Sequence, residues 1–173
     1  MIFPTTLTSA IFISILLVVS LSWVALARSK DTPVENLSRL SYLVTQEGAT
    51  EKPYENAYWD HHEAGIYVDI IDGTPLFSSL DKYDSNTGWP TFAKPINPRN
   101  IIMVEDNSWG EKRIEIKTRR SKSHLGHIFD DGPAEYNYVR YCMNSAALRF
   151  VPLANMKKEG YIGYLRLFHA SKR

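Results

Sequence analysis

The chain contains one cysteine, Cys142, and its neighbours are of types that make a thiol reactive. It lies in RYCMNSAALRFVP, residues 140–152, with Arg140 two positions before it and Asn144 two positions after it. In a β-strand alternate residues share a face, so the three polar side chains would point the same way. A guanidinium beside a thiol favours the thiolate and lowers its pKa, which predicts a nucleophile. A lone cysteine is also commonly a small buried apolar residue, and the pattern leaves that interpretation open.

A second candidate group is SHLGHIFDDGP, residues 123–133, which carries His124, His127 and Asp131. Two imidazoles can act as proton donor and acceptor, or as metal ligands. In an ideal strand these histidines face opposite sides, which would leave one on the surface and one in the core. A β-bulge at Gly126 would instead bring both rings to one side. Both arrangements are compatible with the pattern.

Trp89 stands between Gly88 and Pro90 in TGWPTF, residues 87–92, which is typical of a tight loop. A tryptophan there is either a lid over the core or a wall of an apolar pocket.

Two polar pairs share a spacing of three residues: Asp69 with Asp72, and Thr118 with Ser121. Two carboxylates alone make a weak cation site, so we expect Asp69 and Asp72 to lie in a solvated turn.

The elements that must position these side chains are mostly strands. Residues 36–48 have helical apolar spacing and end at Gly48, which predicts a helix. Residues 65–80 predict a strand, a turn at Asp72–Gly73 and a second strand. Further strands are predicted at residues 101–106, 112–118, 124–129 and 139–151. The sequence therefore predicts one mainly β, antiparallel domain with a short helical start.

Composition excludes several classes of protein. The 173 residues carry 20 Lys and Arg against 19 Asp and Glu, a net charge of +1, so no charge excess favours nucleic acid. One cysteine excludes an intramolecular disulfide and a four-cysteine zinc site.

The N-terminal segment is distinct from the rest. ISILLVVSLSWVALA, residues 13–27, is apolar and uncharged, and the uncharged run reaches back to residue 1. Ala25-Leu26-Ala27 fits a signal peptidase site, whereas the positive charges that follow the run favour a retained anchor with a cytoplasmic C-terminal side. We expect residues 1–30 to be a signal peptide or membrane anchor, residues 31–173 to be the catalytic domain, and the protein to be membrane-associated or exported, with the periplasm or secretory side favoured.

Three segments together resemble the B-type methionine sulfoxide reductases. They are YWDHHEAGIYVDIIDGTPLFSSLDKYDSNTGWPTFAKPI, RRSKSHLGHIFDDGP and RYCMNSAALRFVP, in the family's order and spacing. The resemblance implies two antiparallel sheets in a barrel-like or sandwich-like domain with short N-terminal helices. It also implies thiol-dependent reduction of the R epimer of methionine sulfoxide, free or in protein, as repair of oxidative damage.

The resemblance assigns roles to the candidates near the cysteine. Cys142 matches the nucleophile that becomes a sulfenic acid, Arg140 the arginine that favours the thiolate, and Asn144 a polar partner nearby. His124 and His127 match active-site histidines that orient water or the substrate oxygen and protonate it.

Two further residues match substrate-binding positions of the family. Trp89 matches the tryptophan that receives the substrate's S-methyl group, and Asp131 matches a carboxylate near the histidines.

This sequence departs from the family at two places. Asp69, Asp72, Thr118 and Ser121 stand where many members carry two C-x-x-C pairs that bind zinc, so we expect no metal. Thr87 stands where many members carry a resolving cysteine. We therefore expect no bound cofactor and regeneration of Cys142 by an external thiol such as thioredoxin, glutaredoxin with glutathione, or another donor.

Two alternatives differ in class from this reductase. One is a histidine-based metal enzyme using His124, His127 and a carboxylate, which a chelator would inhibit. The other is a non-enzymatic β module that binds oxidised methionine, which requires Cys142 to be buried and protonated.

Overall fold

A computed structural model describes residues 32–108 and 110–170, all within one compact unit that spans residues 31–173. The helices are α1 (Arg39–Glu47) and α2 (Leu165–Ala170), and the strands are β1 (Gly65–Asp69), β2 (Pro75–Ser78), β3 (Lys82–Tyr83), β4 (Thr91–Phe92), β5 (Ile101–Asp106), β6 (Arg113–Thr118), β7 (His124–Phe129), β8 (Arg140–Met143) and β9 (Leu148–Pro152).

The strands form two antiparallel sheets. The smaller sheet has the order β2-β1-β9, and the larger has the order β3-β4-β8-β7-β6-β5. This confirms the prediction of a mainly β domain with two antiparallel sheets.

The helix predicted from residues 36–48 is α1. The Ser38 side chain accepts a hydrogen bond from the Ser41 amide at 3.0 Å and caps the first turn. Gly48 ends the helix in the left-handed conformation, with φ of 71°, which glycine adopts without a Cβ clash. The prediction is confirmed, with its start shifted to Arg39.

Aromatic side chains join the two sheets. Phe77 of β2 stacks on Phe92 of β4 with ring centroids 4.4 Å apart, and Tyr67 of β1 meets the same Phe92 ring edge-on at 5.0 Å. All three side chains are fully buried, and burying one such ring stabilises the fold by about 2–3 kcal/mol. The core between the sheets therefore holds the strands that carry the candidate site.

The strand predicted over residues 139–151 is two strands, and this prediction was wrong. β8 belongs to the larger sheet and β9 to the smaller one, with a 3-10 turn at Ser145–Ala147 between them. The break follows from Asn144, whose side chain accepts from the Glu51 amide and donates to the Leu125 carbonyl instead of continuing the alternation.

The apolar segment and the proposed boundary at residue 30 lie outside the described residues. Within residues 32–108 and 110–170, no helix is both long enough and apolar enough to cross a bilayer.

Candidate active site

A row of polar side chains crosses the larger sheet at Cys142. Thr91 of β4, Cys142 of β8, His127 of β7 and Glu115 of β6 are directly opposite one another in successive antiparallel pairs. Directly opposed residues lie on the same face, with Cβ atoms about 5 Å apart. The thiol and one imidazole, which are distant in sequence, are thus cross-strand neighbours.

A β-bulge brings the second imidazole to this face. The pairing of β6 with β7 shifts register between Ile116 and Lys117, so that Lys117 pairs with His124 while Ile116 pairs with Gly126. The His124 and His127 rings are 5.5 Å apart, centroid to centroid. Of the two arrangements compatible with the sequence, the structure therefore has the one in which both rings share a face.

Gly126 makes this bulge possible. Its backbone φ is +151°, a value that L-residues with a side chain rarely adopt. A Cβ at this position would also collide with the Cys142 carbonyl oxygen. Strand β8 thus approaches β7 closely because position 126 has no side chain.

Cys142 is half-buried, and its environment differs from the sequence expectation. Burial raises the pKa of the thiol, and the opposing influences of Arg140, Thr87 and Thr91 do not overcome it. As expected, Arg140 acts to lower the pKa of Cys142. The expectation that this pKa is low overall was wrong, because burial raises it by more than Arg140 lowers it. At neutral pH the sulfur therefore keeps its proton until a base or the substrate takes it.

Arg140 is held by two contacts. Its guanidinium donates to both oxygens of Asp131, at 2.6 and 2.9 Å, and lies over the Phe129 ring, 4.2 Å from its centroid. The hydrogen bond from Arg140 lowers the pKa of the Asp131 carboxyl. The structure thus brings Asp131 to Arg140, whereas the resemblance placed it near the histidines.

His124 and His127 each have a carboxylate partner that the sequence patterns did not identify. His124 Nδ1 is 2.6 Å from Glu115 Oε1, and His127 Nε2 is 2.8 Å from Asp106 Oδ2. The alternation of charged and apolar residues in RIEIKT, residues 113–118, indicated one polar face of β6 but not what it meets. Identifying the partners required the register between β6 and β7.

Trp89 and Asn144 are both fixed through Glu51. The Trp89 indole N–H donates to the Glu51 carbonyl at 3.0 Å, and the Glu51 amide donates to the Asn144 side chain at 3.0 Å. Trp89 remains partly exposed, whereas Asn144 is buried. Both polar atoms of the Asn144 side chain bind backbone groups, so this residue positions the segment that follows the cysteine.

A cavity of about 380 Å³ is lined in part by Tyr83, Thr87, Asp131 and Arg140, but not by Cys142 itself. Thr87 Oγ1 is 4.0 Å from Cys142 Sγ. A larger cavity, about 640 Å³, lies against α1 and contains none of the predicted site residues. Cavity volume alone would therefore select a pocket that lacks the residues able to do chemistry.

The two polar pairs spaced three apart meet in a buried cluster, so the expectation of a solvated turn was wrong. Asp69 is fully buried, and its Oδ2 accepts from Thr118 at 2.5 Å and from Ser121 at 2.9 Å. Its Oδ1 accepts from the Ile71 and Asp72 amides. These bonds join the β1–β2 hairpin to the end of β6, which links the two sheets.

The Asp69 carboxylate is fully hydrogen-bonded within this cluster, whereas Asp72 Oδ2 is buried without a hydrogen-bond partner among the described residues. One carboxylate takes four hydrogen bonds, from two hydroxyls and two amides, so it needs no cation to offset its burial. Among the described residues no group of three or more His, Cys, Asp or Glu side chains is arranged to hold a metal ion. Absence of a metal stays a prediction.

Asp69→Ala is expected to lower the free energy of unfolding by about 3 kcal/mol, because two hydroxyls and two amides would lose their acceptor inside the protein. Urea unfolding followed by tryptophan fluorescence measures the change. Asp130→Ala, at an exposed carboxylate, is the control and should change stability by less than about 0.5 kcal/mol. Equal stability of the two variants would contradict a structural role for the cluster.

Comparison with known proteins gives two findings. Residues 37–152 match the SelR domain. The chain is also similar to "Peptide methionine sulfoxide reductase MsrA/MsrB" of Vibrio cholerae serotype O1, with 52% identity over 145 residues. That alignment covers 83% of this chain and 38% of the relative, so the chain spans less than half of the relative's length.

Proposed function

Since the chain belongs to the SelR-domain family, the B-type methionine sulfoxide reductases, we propose that it reduces the R epimer of methionine sulfoxide to methionine. The proposal covers residues 31–173 as the catalytic domain, with a role in the repair of oxidised methionine, free or in proteins.

The observation that carries the proposal is the row across the larger sheet. Cys142 and His127 are cross-strand neighbours, and the bulge adds His124 to the same face. A sulfur nucleophile next to two imidazoles supplies both requirements of sulfoxide reduction, an atom that accepts oxygen and groups that move a proton.

The reaction balances without any other reactant in its first half. The Cys142 sulfur attacks the sulfoxide sulfur, the thiol proton passes to the sulfoxide oxygen, and this oxygen ends on Cys142 as a sulfenic acid. The substrate sulfur is reduced to the thioether, and the cysteine sulfur is oxidised by the same two electrons. A protonated resting thiol, as burial favours, brings the required proton with it.

The remaining predicted residues receive roles that fit their positions. The partly exposed Trp89 ring provides an apolar surface for the S-methyl group, which distinguishes the methyl from the polar oxygen. Arg140, positioned by Asp131, stabilises negative charge on Cys142 as the proton leaves. Asn144 holds the chain after Cys142 in place.

The second half of the cycle needs an external thiol. The sulfenic acid and two thiol groups give the Cys142 thiol, one disulfide and water, and a dithiol such as thioredoxin supplies both thiols. Thr87, the closest candidate for an internal resolving position, has a hydroxyl that cannot form a disulfide. We propose thioredoxin, glutaredoxin with glutathione, or a related thiol as donor, and no bound cofactor.

Thr87→Cys is expected to convert this chain to internal regeneration. The Thr87 Oγ1 atom is 4.0 Å from Cys142 Sγ, so a sulfur there must move about 2 Å to reach disulfide bonding distance. One equivalent of substrate should then leave an intramolecular disulfide, measured by mass spectrometry and thiol titration. Thr87→Ser is the matched control and should leave a sulfenic acid that dimedone traps. A dimedone adduct on Thr87→Cys at saturating substrate would mean that the loop does not close.

The direct test of the function uses the separated R and S epimers of methionine sulfoxide, with dithiothreitol as donor and methionine as the measured product. We expect turnover of the R epimer and none of the S epimer. Activity that a chelator abolishes would favour the histidine-based metal enzyme, and binding without turnover would favour the non-enzymatic module.

We also propose that residues 1–30 target the protein to a membrane or export it, on the evidence of their apolar, uncharged sequence. N-terminal sequencing and membrane fractionation of the expressed full chain distinguish a cleaved leader from a retained anchor.

A further inference from the structure

We propose that Glu115 and Asp106 position the two imidazoles in opposite senses, so that His124 exchanges its proton through Nε2 and His127 through Nδ1. This inference rests on the proposed function for its kinetic part only. The proton positions can be measured on the resting protein without any turnover.

The geometry differs between the two rings. Glu115 of β6 meets His124 at Nδ1, whereas Asp106 of β5 meets His127 at Nε2. The two carboxylates come from different strands, and both side chains are mostly buried, with 16% of each exposed. At 2.6 and 2.8 Å the pairs are at the short distances of charge-assisted hydrogen bonds.

An ionised carboxylate can only accept a hydrogen bond, so each facing ring nitrogen must carry a proton. Burial raises the pKa of Glu115, but the hydrogen bonds from His124 and Lys117 outweigh it and leave this pKa below its usual value. Hydrogen bonds from Ser108, His127 and Arg113 hold the pKa of Asp106 far below its usual value. Both carboxyls are therefore ionised at neutral pH.

His124 has one ring nitrogen left over. Its Nε2 atom is buried and has no hydrogen-bond partner among the residues that the structure describes. Burial lowers the pKa of His124, with Glu115 opposing, so the neutral ring predominates and Nε2 carries a free lone pair. A buried acceptor without a donor costs about 1–3 kcal/mol, which is explained if a reacting proton occupies this position during turnover.

The proton path then has a defined order. Because no donor among the described residues lies within hydrogen-bond distance of His124 Nε2 in the resting protein, the proton that the Cys142 thiol gives up reaches this nitrogen through the bound substrate or a water, and the Glu115 carboxylate stabilises the imidazolium. The imidazolium returns this proton to the sulfoxide oxygen as the sulfur–oxygen bond breaks. Glu115 touches neither substrate nor sulfur, and it is a positioning residue rather than a catalytic one.

Several groups influence the titration of His124. Strand β6 presents Glu115 and Lys117, and β7 presents His127. Strand β8 contributes the Cys142 thiol, which lies opposite His127. Helix α1 also packs against β7, and its buried side chains, Ser41, Val44 and Thr45, do not titrate near neutral pH.

Two substitutions on β6 have opposite expected effects. Glu115 raises the pKa of His124, so Glu115→Gln should move the limb of the pH–rate profile that reports His124 to lower pH. Lys117 lowers the same pKa, so Lys117→Gln should move that limb to higher pH. Lys117 Nζ is 3.1 Å from Glu115 Oε1. Lys117→Gln is therefore a matched control for Glu115→Gln, on the same strand and the same face.

The first measurement is nitrogen NMR of the full chain labelled at histidine. We expect the neutral His124 ring to carry its proton on Nδ1, the His127 ring to carry a proton on Nε2, and Glu115→Gln to remove the preference at His124. A wild-type His124 ring protonated on Nε2 would overturn the inference, and this result needs no variant to fold.

The second measurement is kcat/KM for the R epimer with dithiothreitol across pH. Glu115→Gln should lose about 10–100-fold at neutral pH, and Glu115→Asp, which keeps the charge, should recover part of the rate and return the limb toward its wild-type position. If Glu115→Gln loses rate but its pH–rate profile does not shift, Glu115 has only a structural role and the inference is overturned. The same conclusion follows if the profiles of Glu115→Gln and Lys117→Gln shift in the same direction. If the wild type reduces neither epimer, the proposed function fails, while the ring tautomers still decide the positioning by the carboxylates.

Discussion

Cys142→Ser is expected to reduce kcat/KM for the R epimer by at least about 10³-fold, to the level of the uncatalysed reaction with dithiothreitol. A serine hydroxyl is a much weaker nucleophile toward sulfur. It also cannot accept the oxygen atom, because the product would contain an unstable oxygen–oxygen bond where sulfur forms a sulfenic acid. The measurement is methionine formed from the separated R epimer.

The same variant should fold normally. Cysteine and serine are close in size, and position 142 is half-buried rather than in the core. The matched control is Met143→Leu, at the adjacent core position, which should keep most of the activity and cost less than about 1.5 kcal/mol of stability. More than about a tenth of the wild-type activity in Cys142→Ser would remove the nucleophile assignment and favour the histidine-based metal enzyme.

Gly126→Ala is expected to have the largest combined effect on stability and activity. The added Cβ would meet the Cys142 carbonyl at a backbone φ of +151°, so β7 and β8 must separate. We expect a loss of about 3 kcal/mol in the free energy of unfolding, from overpacking together with backbone strain. We also expect a fall of about 10²-fold in kcat/KM, because Cys142 and both histidines are displaced relative to each other.

Two other glycines separate the causes of that loss. Gly163→Ala adds a Cβ in open space at an ordinary φ and should be nearly neutral. Gly48→Ala adds a Cβ in open space at a φ of +71°, so it reports the conformational cost alone, about 1 kcal/mol. Urea unfolding of the three variants, together with kcat/KM for the R epimer, tests the order. If Gly126→Ala were no worse than Gly48→Ala, the close approach of β8 would not be what requires glycine.

Local patterns located most elements along the chain. The strands predicted at residues 101–106 and 124–129 have those bounds in the structure, as β5 and β7. Alternation of side chains and the positions of glycine and proline are local properties, so they can be read from neighbouring residues. The failure at residues 139–151 arose because the break at Asn144 depends on Glu51 and Leu125, which are far away in sequence.

The candidate side chains were recognisable before their surroundings were. Cys142, His124, His127, Arg140 and Trp89 were selected by residue type and spacing, and the structure brings Cys142 and both histidines to one face. Their catalytic roles remain predictions until the variants are measured. The resemblance also identified Asp69, Asp72, Thr118 and Ser121 as one set, but only the packed sheets revealed that Asp69 is buried and hydrogen-bonded.

The sequence by itself determined the chemistry that is available: one sulfur nucleophile, two imidazoles in a strand that can bulge at Gly126, and no second cysteine for a disulfide. Tertiary structure alone decided the protonation of these groups. Burial raises the pKa of Cys142 despite Arg140, and Glu115 and Asp106 select a nitrogen on each ring. The physical reason is that residue types and periodicities belong to the local chain. Desolvation and hydrogen-bond partners depend on the register of strands that meet only when the sheet assembles.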